Sequence, residues 1–445
     1  MKKSLFYTLL ICLLAISCDK EPQGQQQQKP PQEEQQQKPE EKPQEQPVTP
    51  AEPEEDPNDL YVSLDDGTLP WQVAKWFGIG WNLGNQFDAH NNGVAAEDAW
   101  GNPKVVSSLF PKLKQAGFST VRIPVTWLGH IGAAPEYKID DEWLDRLYNV
   151  VGYAQNAGLN VIINIHHDGS ESKHWLDIIN AAKDPERQQQ ILAQITSVWT
   201  QIAEKFKAKN ESLVFEGFNE IHDGKWGWGD NRNDGGKQYA CMNEWNQAFV
   251  NAVRATGGNN ATRYLGVPAY CTNVDLAIES FVMPEDVVEG KLFLSVHSYD
   301  PSDYTLNAKY SQWGHTATAS LKPRGDNEAE LKALFEKIYT NFISKGVPVY
   351  MGEFGCVNRA TELEQKFQQY YLKYYARLAK IYGVPCMLWD NGSKGTGKER
   401  HAFIDRTTGN YSSDGAKAAV EALIKSYNSK TSLEALYNVA PANEQ

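Results

Sequence analysis

Gly158-Leu159-Asn160-Val161-Ile162-Ile163-Asn164-Ile165-His166-His167 reads as one complete unit of chain. Ahead of it, residues 140–157 begin with acidic side chains and place Trp143, Leu147, Val150, Val151 and Ala154 on a single helical stripe. Glycine takes the left-handed conformation that closes such a helix and turns the chain. The run from Asn160 is then apolar on both faces, as a parallel strand covered by helices must be. It ends on polar residues, two of them imidazoles.

The same unit recurs on either side. Apolar runs lie at 77–83, 120–127, 160–167, 213–220, 264–270, 292–299, 347–354 and 386–390, with helical patterns between them, among them 332–343 and 367–381. Gly117, Gly158, Gly258, Gly290, Gly346 and Gly383 each stand one to six residues before a strand. Strict alternation with eight strands predicts an α/β chain folded as a (β/α)8 barrel, the TIM barrel. A doubly wound open sheet would need a glycine-rich phosphate loop after its first strand. Residues 78–84 put Trp81 and Asn82 where a phosphate loop needs close backbone approach.

The chain has 445 residues, 41% hydrophobic and 11% aromatic, ample for a large core. Its formal net charge is −13, and residues 19–59 carry −8 of that. A mildly acidic body argues against nucleic acid as a partner, because phosphate binding needs a basic face.

Lys2 and Lys3 precede an apolar run from Leu5 to Ile16 that is too short to cross a bilayer and reads as a signal peptide over 1–17. Leu14-Ala15-Ile16-Ser17-Cys18 resembles a bacterial lipobox, whose cysteine is lipidated. Residues 18–59 then form a lipidated Cys18 and a Gln/Glu/Pro-rich linker, in which Val48 and Ala51 are the hydrophobic residues after the cysteine. The expected product is exported and held at a membrane by a lipid anchor, at the cell surface or facing the periplasm. Residues 60–430 are assigned to the barrel and 431–445 to a C-terminal tail. Cys241, Cys271, Cys356 and Cys386 remain in the body. The compartment would permit pairing, but their spacing matches no metal motif, and buried thiols are expected.

In a barrel the chemistry collects at the C-terminal ends of the strands. Those ends supply Asn82, Arg122, His166 and His167, Asn219 and Glu220, Tyr270, His297 and Tyr299, Glu353, and Trp389. Strand parity places Arg122 opposite to Val121 and Ile123, so it points inward and must be paired, with Glu353 or Glu216 as partner. Parity also puts Asn164 with His166, and sets His166 and His167 on opposite faces, which disfavours a metal site there. Two carboxylates across a cleft are the equipment of glycosidic cleavage, one donating a proton and the other attacking or activating water.

With these residues in order, the chain resembles glycoside hydrolase family 5 over about residues 70–427. The family pattern of Arg, His, Asn-Glu, His-x-Tyr, Glu and Trp on successive strands is met by Arg122, His166, Asn219-Glu220, His297-Ser298-Tyr299, Glu353 and Trp389. The flanks at 80–85, 120–127, 166–168, 215–220 and 389–392 resemble its fourth subfamily, mainly endo-β-1,4-glucanases, xyloglucanases and mixed-linkage glucanases. Gln86, Phe87 and Ile221 depart from the Thr-Leu and Pro of relatives. The resemblance implies Glu220 as general acid/base and Glu353 as nucleophile, with Arg122 and Tyr299 favouring its anion. Asn219 would bond the sugar 2-hydroxyl, Trp389 would form the floor beneath that sugar, and His166 and His297 would hold hydroxyls or carboxylates. No metal or other cofactor is implied.

The expected function is retaining, endo-acting cleavage of β-1,4-glucosidic bonds in cellulose, xyloglucan or mixed-linkage β-glucan by a monomeric enzyme. Endo-β-1,4-mannanase is the enzymic alternative, and a noncatalytic glycan-binding lipoprotein the alternative of another class. Aromatic residues on the expected rim loops are candidate sugar platforms or loop anchors: Trp175, Trp226, Trp228, Tyr239, Trp245, Tyr304, Tyr310 and Trp313. Trp143 and Trp199 are expected in the core.

Overall fold

The computed structural model describes residues 62–442. The signal, lipobox and linker assignments fall outside the described residues.

Eight parallel strands close into a barrel in sequence order. They are β1 Gly80–Asn82, β2 Thr120–Ile123, β3 Asn160–Ile163, β4 Leu213–Glu216, β5 Leu265–Pro268, β6 Leu292–His297, β7 Val349–Phe354 and β8 Cys386–Leu388. β1 pairs with both β2 and β8, which completes the ring. A helix follows every strand: Leu109–Gln115, Asp141–Asn156, Pro185–Phe206, Lys237–Ala255, Val274–Ser280, Asn327–Asn341, Glu362–Tyr382 and Asp414–Asn428. All six glycines expected to turn the chain before a strand have positive φ, between 58° and 102°.

All eight expected strands are present, but most are shorter at their C-terminal ends. The polar residues there have left the ladder to build the rim. The expected first strand also reached too far back, since Phe77 ends a helix, Leu69–Phe77. A two-stranded hairpin, His90–Asn91 with Val94–Ala95, was not foreseen. Two residues per arm leave no periodicity to read.

Parity sorts the core as expected. Val121, Ile123, Val161, Ile163, Leu213 and Phe215 face the helices in the main core. Ile162, Val214, Phe293, Tyr350 and Met387 fill the barrel's lower end, where Val73 and Phe77 of the N-terminal helix close it as a plug. This layer is packed to contact. A Cβ added at Gly266 would stand 2.3 Å from the Tyr350 hydroxyl, so β5 must be bare at that level. The interior is thus solid below and polar above.

The assigned C-terminal tail carries structure of its own. Helix Leu433–Asn438 buries Leu436, and the Tyr437 ring stacks on His315 with centroids 3.6 Å apart. Cys241, Cys271, Cys356 and Cys386 are all buried and unpaired.

Candidate active site

Arg122 organises the upper layer. Its Nε donates to Glu216 (2.8 Å), its Nη1 to Glu353 (2.7 Å) and to Asn82 Oδ1 (3.1 Å), and its Nη2 to Asn219 Oδ1 (2.8 Å). Parity left a choice between Glu216 and Glu353, and the guanidinium takes both. Glu216 also accepts from Ser295 (2.6 Å), Tyr350 (2.8 Å) and Asn164 (3.0 Å). Burial would lift the Glu216 carboxyl, but Arg122 and these donors overcome it and hold it below the ordinary range. Asn82 is wholly buried, and its Nδ2 donates to the Gly352 and Met387 carbonyls. It therefore braces Arg122 and does not face a ligand.

Above this layer sit the two carboxylates. Glu353 Oε2 accepts from the Tyr299 hydroxyl at 2.9 Å, while Oε1 is held by Arg122. Glu220 Oε1 lies 2.8 Å from His297 Nδ1. Oxygen atoms of Glu220 and Glu353 and a His297 nitrogen all lie within 4.8 Å of one another. Burial pushes the Glu220 carboxyl up to about 7. Burial also raises Glu353, against the pull of His297 and Arg122. His297 is driven down to about 4 by burial, so its imidazole is neutral. Gly352, beside the Glu353 carboxylate in sequence, lies directly against His297: a Cβ there would stand 2.8 Å from Nε2.

Trp389 stands at the rim, 9% exposed, its backbone N–H donating to Phe354 O. Gly84 makes room for it, since a Cβ there would meet the indole at 2.7 Å. The His166 ring lies parallel to the indole, with centroids 6.3 Å apart. Asn164 Nδ2 donates to His166 Nδ1 at 3.1 Å, which leaves the ring proton on Nε2, 3.9 Å from Glu353.

Two sequence readings need correction. His166 and His167 do not point to opposite faces. The strand ends at Ile163, His166 has φ −101° and ψ −85°, and the two rings meet with centroids 4.5 Å apart. Strand parity does not extend past the last ladder bond. Tyr270 is buried away from the carboxylates, its hydroxyl donating to Gln238 Oε1 at 2.6 Å. It pins the loop that follows Glu220. Among the described residues, Asp88, His166 and His167 have metal-like spacing, within 4.8 Å. Asp88, however, uses both oxygens to accept the Asn85 and Gln86 backbone N–H groups, at 3.0 and 2.7 Å.

The family model described as cellulase (glycosyl hydrolase family 5) matches residues 82–395, which take in every residue of this arrangement. The chain belongs to glycoside hydrolase family 5. It is 38% identical over 349 residues to endoglucanase A of Paenibacillus barcinonensis, covering 75% of this chain and 84% of that one. Among solved structures it is similar to a "GH5-4 broad specificity endoglucanase" from Bacteroides salanitronis, with a TM-score of 0.80 and 53% identity, over 83% of this chain and 98% of that one. It also resembles a Bacteroides ovatus family 5 xyloglucanase in complex with a XXXG heptasaccharide, with a TM-score of 0.71 and 32% identity, over 83% and 78%.

The rim loops of this family 5 chain divide their aromatic residues between two jobs. Tyr304 and Trp313 are fully buried and anchor loops, whereas Trp245, expected on a rim loop, lies buried in the helix Lys237–Ala255, as Trp143 and Trp199 lie in theirs. Trp175 donates its indole N–H to Asp168 at 2.6 Å. Trp226 and Trp228 are exposed, at 54% and 73%. Trp226 lies over the His222 ring, with centroids 4.3 Å apart. Sequence reasoning missed Trp100, 42% exposed and 5.5 Å from His167 between ring centroids, with His90 beside both. It sits in the long segment after β1, where neither periodicity nor strand-end position marks it.

Proposed function

We propose that this chain is a retaining endo-β-1,4-glucanase that works by double displacement. The observation that carries the reading is the closeness of the two carboxylates: oxygens of Glu220 and Glu353 lie within 4.8 Å. Retaining glycosidases hold their carboxyl groups about 5–5.5 Å apart, whereas inverting ones leave about 6.5–9.5 Å for a water.

Glu353 is the nucleophile. Arg122 and the Tyr299 hydroxyl hold its two oxygens and favour the anion. Glu220 is the acid, since burial keeps its proton near neutral pH. In the first step Glu353 bonds to the anomeric carbon, the glycosidic C–O bond breaks, and the Glu220 proton goes to the leaving oxygen. In the second, Glu220 takes a proton from water, which attacks the same carbon and frees Glu353. Trp389 is the floor under the reacting sugar, and Asn219, already oriented by Arg122, bonds its 2-hydroxyl.

A β-1,4-glucan is the substrate supported by the relatives, through the endoglucanase and xyloglucanase named above. The Bacteroides salanitronis GH5-4 endoglucanase supports placement in the fourth subfamily. The exposed Trp226 and Trp228 on the loop after Glu220 suit a chain that extends past the cleaved bond. Digestion of cellulose, xyloglucan, mixed-linkage β-glucan and β-mannan, followed at once by proton NMR, tests the proposal. The expected result is β-anomer first, from one or more of the glucans. Initial α-anomer would remove the nucleophile role of Glu353, and turnover of mannan alone would replace the substrate.

We also propose that residues 1–18 direct export and lipidation at Cys18. The support is the sequence of that segment, a dibasic start, an apolar run and a small residue before the cysteine.

A further inference from the structure

The indole of Trp389 is set from two sides. Asp390, the next residue, fixes its backbone end. Gly84 lies against its far ring, where a Cβ would stand 2.7 Å from Cη2 and 2.8 Å from Cζ2. These two neighbours belong to different loops, one after β8 and one after β1. They meet directly, since the Gly84 N–H donates to Asp390 O at 3.0 Å. Arg406 closes the pair. Its Nη2 donates to the Gly84 carbonyl at 3.1 Å and to the Asp390 carbonyl as well. The Asp390 carboxylate lies 3.3 Å from the same nitrogen and accepts from Trp81 Nε1 at 2.9 Å. The guanidinium covers the Trp81 ring, 4.4 Å from its centroid.

This clasp is costly. Arg406 is 4% exposed, and among the described residues its Nε and Nη1 are buried with no hydrogen-bond partner. Buried donors left unpaired destabilise a fold, and apolar side chains of similar volume often match a buried ion pair for stability. What an apolar side chain cannot do is donate to the Gly84 and Asp390 carbonyls at once. The one nitrogen of Arg406 that makes hydrogen bonds is directed at the two peptides that seat the indole. We propose that Arg406 is a positioning residue for the reacting sugar: by clasping the Gly84 and Asp390 carbonyls it fixes the plane of the Trp389 indole. This rests on the reading of Trp389 as the floor under that sugar.

The test is a double-mutant cycle on dinitrophenyl β-cellobioside, whose activated leaving group keeps slow variants measurable. Arg406→Met should lower kcat/KM about tenfold or more, because a displaced floor spoils alignment at the anomeric carbon. In a Trp389→Ala background the same change should cost less than about twofold, because the plane it sets is gone. Arg406→Lys, whose ammonium can donate to both carbonyls, should lose less than Arg406→Met. A purely structural role shrinks the active fraction by one factor in either background, so equal losses overturn the proposal, as does full activity of Arg406→Met. Should Arg406→Met fail to fold, Arg406→Lys runs the same cycle under the same criterion. An unchanged rate for Trp389→Ala alone would remove the floor reading beneath the proposal, which is a different result from equal losses.

Discussion

His297 Nδ1 and Glu220 Oε1 are 2.8 Å apart, and burial works on the two groups in opposite directions. The imidazole is held near 4 and the carboxyl near 7. Between those values the shared proton belongs to Glu220, and the neutral ring accepts it at Nδ1.

The pH dependence follows with a definite sign. The first step needs Glu220 protonated, and its pKa is raised to about 7. That form is full below 7 and lost as pH rises through it. On cello-oligosaccharides kcat/KM should drop about tenfold per unit on the alkaline side. A flat profile from pH 7 to 9 would rule out Glu220 as the acid.

Replacing the carboxylates separates their roles. Glu353→Gln should stop turnover of every substrate. Glu220→Gln should cost about 10²–10⁴-fold on cello-oligosaccharides and much less in the first step on an activated aryl glycoside, which departs without a proton. Burst kinetics on both substrates would show this. Equal first-step losses would contradict the assignment.

Removing Arg122 leaves Glu216 and Glu353 buried without their counter-charge. Arg122→Met should destabilise the fold by about 3–5 kcal/mol, as for other broken buried pairs. Adding Glu216→Gln should recover part of that, because one stranded charge is gone. Denaturant titration of the single and double variants measures both steps, and additive losses would refute the pairing argument.

Internal cleavage should thin a polymer quickly. Viscosity of a soluble β-glucan should fall well before reducing ends accumulate. Trp226→Ala and Trp228→Ala should raise KM on polymer severalfold while leaving thermal stability nearly unchanged, since both indoles are exposed. Monomer or dimer release with viscosity preserved would mean attack from chain ends.

The proposed anchor is separable from the chemistry. Cys18→Ala should move the protein from the membrane fraction to the soluble one at unchanged specific activity. Fractionation followed by assay decides this, and unaltered membrane association would end the lipoprotein reading.

Much of this was readable in the sequence because a buried parallel strand has a two-sided apolar signature and a barrel fixes where its polar end goes. Arg122 could be aimed inward from Val121 and Ile123 alone, although parity gives a face and not a neighbour, so both candidate carboxylates remained. The method failed where the ladder stops. His166 and His167 turn out side by side because φ and ψ beyond Ile163 are set by the loop, and Tyr270 is turned aside toward Gln238 in the same way. Trp100 and Arg406 were invisible for a related reason. They lie on loops with no period, and their positions depend on distant partners such as His167 and Gly84.

Gly352 touches no proposed sugar contact, offers no charge, and still has no freedom to vary, because the smallest side chain there would displace the His297 ring. A mutant library spread across the cleft should therefore return blanks at this position, and they would be easily mistaken for lost chemistry. New substrate preferences have to be sought in the loop after β4, where Trp226 and Trp228 stand in the open. The strand ends behave as a fixed die, and the loops are the parts that selection can exchange.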